Sequence, residues 1–157
     1  MKKKILRIGI AVLLCLLIGF LSSIATQTSI TSWYPGLQKP SFTPPNWLFA
    51  PVWTALYIMM GIAAGIVWSK GFYHKWVKTA LYHFGFQLLL NAAWSIFFFG
   101  LRNPLIALVD ILALFILLLF TIRWFKVVNS TAAYLLIPYL IWVAYATALN
   151  FAIWQLN

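Results

Sequence analysis

Five apolar runs, each long enough to cross a bilayer, restrict this chain more than any other feature. They cover residues 5–25, 47–68, 77–99, 104–125 and 132–154. A spanning helix needs roughly 20 predominantly apolar residues at 1.5 Å of rise each. The connecting segments 69–76, 100–103 and 126–131 are short, which forces neighbouring helices antiparallel. The expected fold is an all-α integral membrane protein, a five-transmembrane-helix bundle that forms a single domain over residues 1–157.

Composition agrees with the runs. At 64% hydrophobic and 8% charged residues the chain is not a soluble globule. Eleven Lys and Arg against a single acid give a net charge of +10, a balance that could point to nucleic acid. The cations instead sit at the ends of apolar runs, where they set topology and meet anionic lipid, and no soluble basic face is left to carry nucleic acid. With the N-terminus inside, the inner segments hold Lys2, Lys3, Lys4, Arg7, Lys70, Lys75, Lys78, Arg123 and Lys126, and the outer ones only Lys39 and Arg102. That bias predicts an N-in, C-out bundle. The lone Cys15 cannot form an internal disulfide.

The first run follows a basic start and ends near Ser23-Ile24-Ala25, so a cleaved signal peptide is one reading. Its length matches a spanning segment better, and a retained first helix is expected. Residues 30–46 then form a Pro- and Trp-rich loop, expected to lie outside as a lid. Pro35, Pro40, Pro44 and Pro45 keep this stretch out of regular helix. Asn46 is the expected N-cap of the second helix, and Pro51 is tolerable only in its opening turn. Gly61 and Gly65, like Ala144 and Ala148, have the small-x-x-x-small spacing that lets helices approach closely, within a chain or between chains. Pro138 is expected to kink the last helix. Tryptophans 33, 68, 76, 124 and 154 fall near membrane boundaries, where indoles anchor. Trp53, Trp94 and Trp142 lie within helices, where an indole N–H needs an acceptor or a ligand.

Candidate chemistry is sparse. Gln87, Asn91 and Trp94 share one face of the third helix, and Tyr139, Trp142, Ala146 and Asn150 share one on the last. Polar amides in hydrocarbon turn inward, either to bond other helices or to line a cavity. Asp110, the only acid, lies inside the fourth run. With no second carboxylate, paired acid–base hydrolysis is excluded, and Asp110 serves either packing or function. His83 stands alone on its helix, His74 has no companion ligand, and no metal site is expected. No nucleotide-binding fingerprint is present.

These residues together resemble the TspO/MBR family, which groups tryptophan-rich sensory proteins with the mitochondrial translocator protein, or peripheral-type benzodiazepine receptor. The resemblance begins at Trp33-Tyr34, Leu37, Lys39-Pro40, Pro44-Pro45 and Trp47. It continues through Ala50-Pro51-Val52-Trp53-Thr54, Leu56-Tyr57, Met60-Gly61 and Trp68. Gln87-Leu88, Leu90-Asn91, Trp94, Phe98-Phe99-Gly100 and Asp110 follow. Pro138-Tyr139-Leu140, Trp142, Ala144, Ala146, Leu149-Asn150 and Trp154 complete it, so it covers nearly the whole chain.

The resemblance implies a homodimer in a bacterial cell membrane, with a cavity closed by the first loop. Its implied ligands are porphyrins (protoporphyrin IX and haem) and drugs of the isoquinoline-carboxamide and benzodiazepine types, with no obligatory cofactor. The implied site takes Ser23 and Thr26 from helix one and Phe49, Ala50, Pro51, Val52 and Trp53 from the lid and helix two. Asn91 and Trp94 come from helix three, Ile106 and Asp110 from helix four, and Trp142, Ala146 and Leu149 from helix five. A sensor or stress-response receptor is the expected role. The first alternative is light- and oxygen-dependent degradation of protoporphyrin, in which Trp53 and Trp142 would be the catalytic residues. A transporter of porphyrins or other lipophiles is a second alternative, and a scaffold without a ligand a third. The animal members end the last helix with a proposed cholesterol motif, a Tyr followed by a basic residue. Here Phe151 stands in its place with no cation after it, so sterol binding is not expected.

Overall fold

The computed structural model describes residues 2–157. Helix α1 spans Lys2–Gln27, α2 Asn46–Ser69 and α3 Lys75–Ser95, the last continuing as a π-helical turn over Ile96–Gly100. Helix α4 spans Pro104–Val128, and the final rod is divided into α5, Ser130–Leu135, and α6, Ile137–Leu156. A single 3₁₀ turn, Tyr34–Gly36, lies between α1 and α2. The described residues contain no strand.

Four of these rods are long and apolar enough to cross a membrane: α1, α2, α4 and the combined Ser130–Leu156. Helix α3 is long enough but less apolar, because it carries Lys75, Lys78, His83, Gln87 and Asn91. Its amides account for themselves by turning inward, with Gln87 and Asn91 both buried.

The α1–α2 seam rests on two glycines. A Cβ at Gly61 would lie 2.4 Å from the Val12 Cα, and one at Gly65 2.4 Å from the Ile8 Cα. Only a missing side chain lets the two backbones come so close. The Gly61–Gly65 pair therefore packs α1 on α2 inside one chain. Ala144 and Ala148, by contrast, are exposed on the outer side of α6 and make no such seam.

Two local expectations are corrected and a third is met. Asn46 is the first residue of α2 rather than its cap. Pro45, extended at φ −64° and ψ 148°, holds the cap position, and no side chain caps the helix there. Pro51 lies inside α2, past the opening turn, and the helix runs through it with the loss of one ladder hydrogen bond. The interruption expected at Pro138 is present: the last rod breaks at Leu136, two residues ahead of Pro138, which sits in the opening turn of α6 where its missing N–H costs nothing. Asn103 and Asn129 are the true asparagine caps, accepting from Ile106 N at 3.2 Å and Ala132 N at 3.0 Å.

The lid is tied down at both ends. Lys39 Nζ donates to the Tyr34 carbonyl at 3.0 Å and the Leu37 carbonyl at 3.2 Å, and lies 4.8 Å from the Tyr34 ring centre. Gln38 and Asn157 exchange two hydrogen bonds, of 3.1 and 2.9 Å, which fasten the lid to the end of α6. The Tyr145 hydroxyl donates to the Phe42 carbonyl. At the α3–α4 turn Arg102, at φ 52°, donates through Nε to Ser29 Oγ at 3.1 Å and holds the chain leaving α1.

Candidate functional site

Toward the lid end of the bundle the helices border two adjoining spaces rather than one pocket. The larger has a volume of about 460 Å³ and lies between α1, α2 and the lid end of α3. The smaller, about 20 Å³, lies between the lid, α2, α3 and α6. Phe49, Trp53, Trp94 and Phe99 border both and form the partition.

The partition is an aromatic lattice. Trp53 and Trp142 meet at 90° with ring centres 6.3 Å apart, and Phe49 meets Trp142 at 6.4 Å. Trp94 stacks on Phe98 at 5.1 Å. Such edge-to-face and offset contacts are the favoured aromatic geometries. Trp94 also has the polar partner that a buried indole needs: its Nε1 donates to Asn150 Oδ1 at 2.9 Å, and Asn150 Nδ2 donates to the Pro104 carbonyl at 2.8 Å.

A polar chain crosses the core below the larger space. The Tyr57 hydroxyl donates to Asn91 Oδ1 at 2.8 Å, and Asn91 Nδ2 donates to the Tyr139 oxygen at 2.7 Å. The Tyr139 hydroxyl in turn donates to Gln87 Oε1 at 2.7 Å. All of these bonds point the same way, from the cavity wall at Tyr57 through α3 to α6 and back to α3. Each buried hydroxyl and amide in the chain is satisfied, which keeps it from destabilising the core.

Three buried polar atoms have no partner among the described residues: Tyr34 Oη, Trp142 Nε1 and Asp110 Oδ2. Tyr34 and Trp142 both line the smaller space. A buried donor without an acceptor costs about 1–3 kcal/mol, so both positions would gain from an acceptor placed between them.

The expected site residues divide as follows. Ser23, Thr26 and Ala50 line the larger space, and Phe49, Trp53 and Trp94 border both. Trp142, Ala146 and Leu149 line the smaller one. Asn91 lies behind the wall and reaches the cavity only through Tyr57. Val52 packs half-buried against the core. Pro51 is exposed on α2, and Ile106 is 43% exposed on α4; neither borders either space. Asp110 is buried but borders neither. His83 donates through Nδ1 to the Thr79 carbonyl at 2.7 Å and packs beside Trp124, away from both spaces. Tyr57 and Tyr34 belong to the walls although neither was among the expected site residues. Tyr57 follows Ala50 and Trp53 at i+7 and i+4, so helical spacing alone was enough to bring it onto their face.

Comparison with known proteins matches the TspO/MBR family model to residues 11–155. "Tryptophan-rich protein TspO" of Archaeoglobus fulgidus is 49% identical over 154 residues, covering 98% of each chain. "Translocator protein" of Homo sapiens is 44% identical over 128 residues, 80% of this chain and 75% of the human one. "Tryptophan-rich sensory protein" of Cereibacter sphaeroides is 35% identical over 125 residues, 80% of this chain and 77% of its own. With its apolar helices, the chain is a multi-pass integral membrane protein. It belongs to the TspO/MBR family.

Proposed function

We propose that this protein is a membrane receptor that takes a flat, largely apolar tetrapyrrole, such as protoporphyrin IX or haem, into the larger space. The observation that carries the reading is the 460 Å³ cavity with Trp53, Trp94, Phe49 and Phe99 on its walls. Its volume falls within the roughly 300–1,000 Å³ typical of small-molecule sites, and its wall mixes aromatic faces with a few hydroxyls and amides, as such sites do. Isoquinoline-carboxamide and benzodiazepine drugs, being flat and aromatic, suit the same wall. The unpartnered Trp142 Nε1 and Tyr34 Oη supply donors for a carbonyl or carboxylate reaching past the partition. Relatives named sensory protein and translocator protein agree with a receptor role.

In this reading all five rods cross the bilayer, with α3 shielded by its neighbours, and the N-terminus lies inside. The nine inner cations against two outer ones support that orientation. Ala144 and Ala148, outward on α6, give a close-packing face for a homodimer. Titration of the detergent-solubilised protein with protoporphyrin IX in darkness tests the reading. It expects a saturable shift of the porphyrin absorbance at one equivalent per chain; a linear, unsaturable response would refute it.

The perpendicular Trp53–Trp142 pair favours one second reading, light- and oxygen-dependent breakdown of the bound porphyrin. Illumination of the complex in air decides between them. Loss of porphyrin absorbance that stops in Trp142→Phe supports degradation, and absorbance as stable as in darkness rules it out.

A further inference from the structure

The α1–α2 seam is tight at one end and open at the other. Far from the lid, Gly65 and Gly61 press on the backbone of Ile8 and Val12. Nearer the lid, Gly19 meets the Tyr57 ring, and a Cβ there would lie 2.5 Å from Tyr57 Cε2. Beyond that contact the larger space begins, bordered by α1 from Leu16 to Gln27 and by α2 from Asn46 to Tyr57. Each stretch rises about 16 Å at 1.5 Å per residue, so the space is a slot running along the seam.

The rim of the slot is exposed well below the helix ends. Phe20 is 65% exposed, and Ala50 and Thr54 are exposed too. Phe20 lies seven residues before Gln27 and Thr54 eight after Asn46, about 10–12 Å along each helix. In a bilayer with a hydrocarbon core of about 30 Å, an opening at that depth meets acyl chains, not water. The lid covers something else. Its Tyr34 and Pro44 line the smaller space, and of the loop residues after α1 only Ile30 borders the slot.

We propose that the slot is a lateral portal through which a membrane-dissolved amphiphile enters sideways between α1 and α2, without passing the lid. The lining sorts the ligand by polarity along its length. Thr26, Gln27 and Asn46 sit at the lid end, at headgroup level, and Leu16, Phe20 and Trp53 lie deeper. The class selected is a flat apolar body with a polar end that stays near the membrane surface. The proposal rests on the ligand-binding reading above.

The test uses the full chain in lipid vesicles, with protoporphyrin IX as probe. Phosphatidylcholine brominated along its acyl chains replaces the ordinary lipid, and Trp53 emission is isolated as the difference between the protein and Trp53→Phe. In the second arm Gln38→Cys and Asn157→Cys, which stand where the lid meets α6, are oxidised to staple the lid shut; Cys15 is buried and does not compete. The portal predicts that brominated lipid quenches Trp53. It also predicts that the stapled and reduced forms take up vesicle-dissolved probe at rates within about twofold, since no lid opening precedes binding. Unquenched Trp53 overturns the portal. So does uptake that falls tenfold or more on stapling and returns on reduction, whatever the quenching. If neither form binds the probe, the ligand reading fails, and the quenching arm alone shows whether the slot is open to lipid.

Discussion

Replacing Gly61 or Gly65 with alanine tests the packing on which the rest of the site depends. The added methyl would stand 2.4 Å from the Cα of Val12 or Ile8. Carbon atoms rest about 3.5–4.0 Å apart, so the backbones must separate by more than about 1 Å. A gap of that size forfeits roughly a quarter to a half of each dispersion contact along the seam, and overpacking of this kind costs about 1–3 kcal/mol. Gly85, on α3, has nothing within 4 Å of its would-be Cβ and serves as the control. Gly85→Ala should gain the roughly 0.5–1 kcal/mol of helix preference that glycine lacks. Gly61→Ala gains the same helix preference, which therefore cancels, and the expected difference between Gly61→Ala and Gly85→Ala is the overpacking cost, roughly 1–3 kcal/mol. Reversible unfolding in mixed micelles, followed by circular dichroism, measures it. If Gly61→Ala and Gly65→Ala are as stable as Gly85→Ala, α1 does not pack through these glycines. If they lose a dimer with no loss of stability, the pair works between chains and the intrachain seam is wrong.

The polar chain makes a second prediction: Asn91→Leu should cost about 1–3 kcal/mol in the same assay, because Tyr57 loses its acceptor and Tyr139 a donor. Adding Tyr57→Phe should then cost little more, since the hydroxyl it removes is already unpaired; additive losses would contradict the chain. Tyr34→Phe removes a buried hydroxyl without a partner and should leave the ligand-free protein as stable or up to about 1 kcal/mol more so. Burial pushes the Tyr34 phenol from 10 up to about 12, with Tyr145 nearby adding to the rise. The neutral form is thus favoured in the folded lid. Its contribution is complete below pH 10 and is lost as pH rises through about 12. Relative to the base-catalysed intrinsic exchange rate, which rises with pH in any chain, amide exchange in the lid should quicken across that window in the parent protein and not in Tyr34→Phe; equal relative profiles would remove Tyr34 as the cause.

What the sequence made legible follows from how far each signal reaches. The long apolar runs needed only local composition, and all five have helical counterparts. Gln87, Asn91 and Trp94 were readable as an inward face because an amide cannot be left in hydrocarbon. Their partners were not, since Tyr57, Tyr139 and Asn150 lie 34, 48 and 56 residues away. Spacing marked both Gly61–Gly65 and Ala144–Ala148, yet only the first pair faces a helix of its own chain, and nothing local distinguishes them. Asn46 has the chemistry of a cap, but Pro45 is the last extended residue and takes the cap position. Ile106 entered the expected site through resemblance alone and Asp110 also as the only acid inside an apolar run, and they lie outside both spaces. The division of one expected pocket into a slot and a closed chamber depends on where Phe49, Trp53, Trp94 and Phe99 meet, which no periodicity encodes.

The central claim is that a tetrapyrrole lies against the Trp53–Trp94 wall, and tryptophan quenching by protoporphyrin IX in darkness tests it most directly. The titration is run on the parent protein, on Trp53→Phe and on Trp76→Phe, whose indole stacks on Trp124 at the far end of the bundle. The account predicts saturable quenching that loses its largest share in Trp53→Phe and is unchanged in Trp76→Phe. Quenching that is the same in Trp53→Phe, or that disappears in Trp76→Phe, would contradict it.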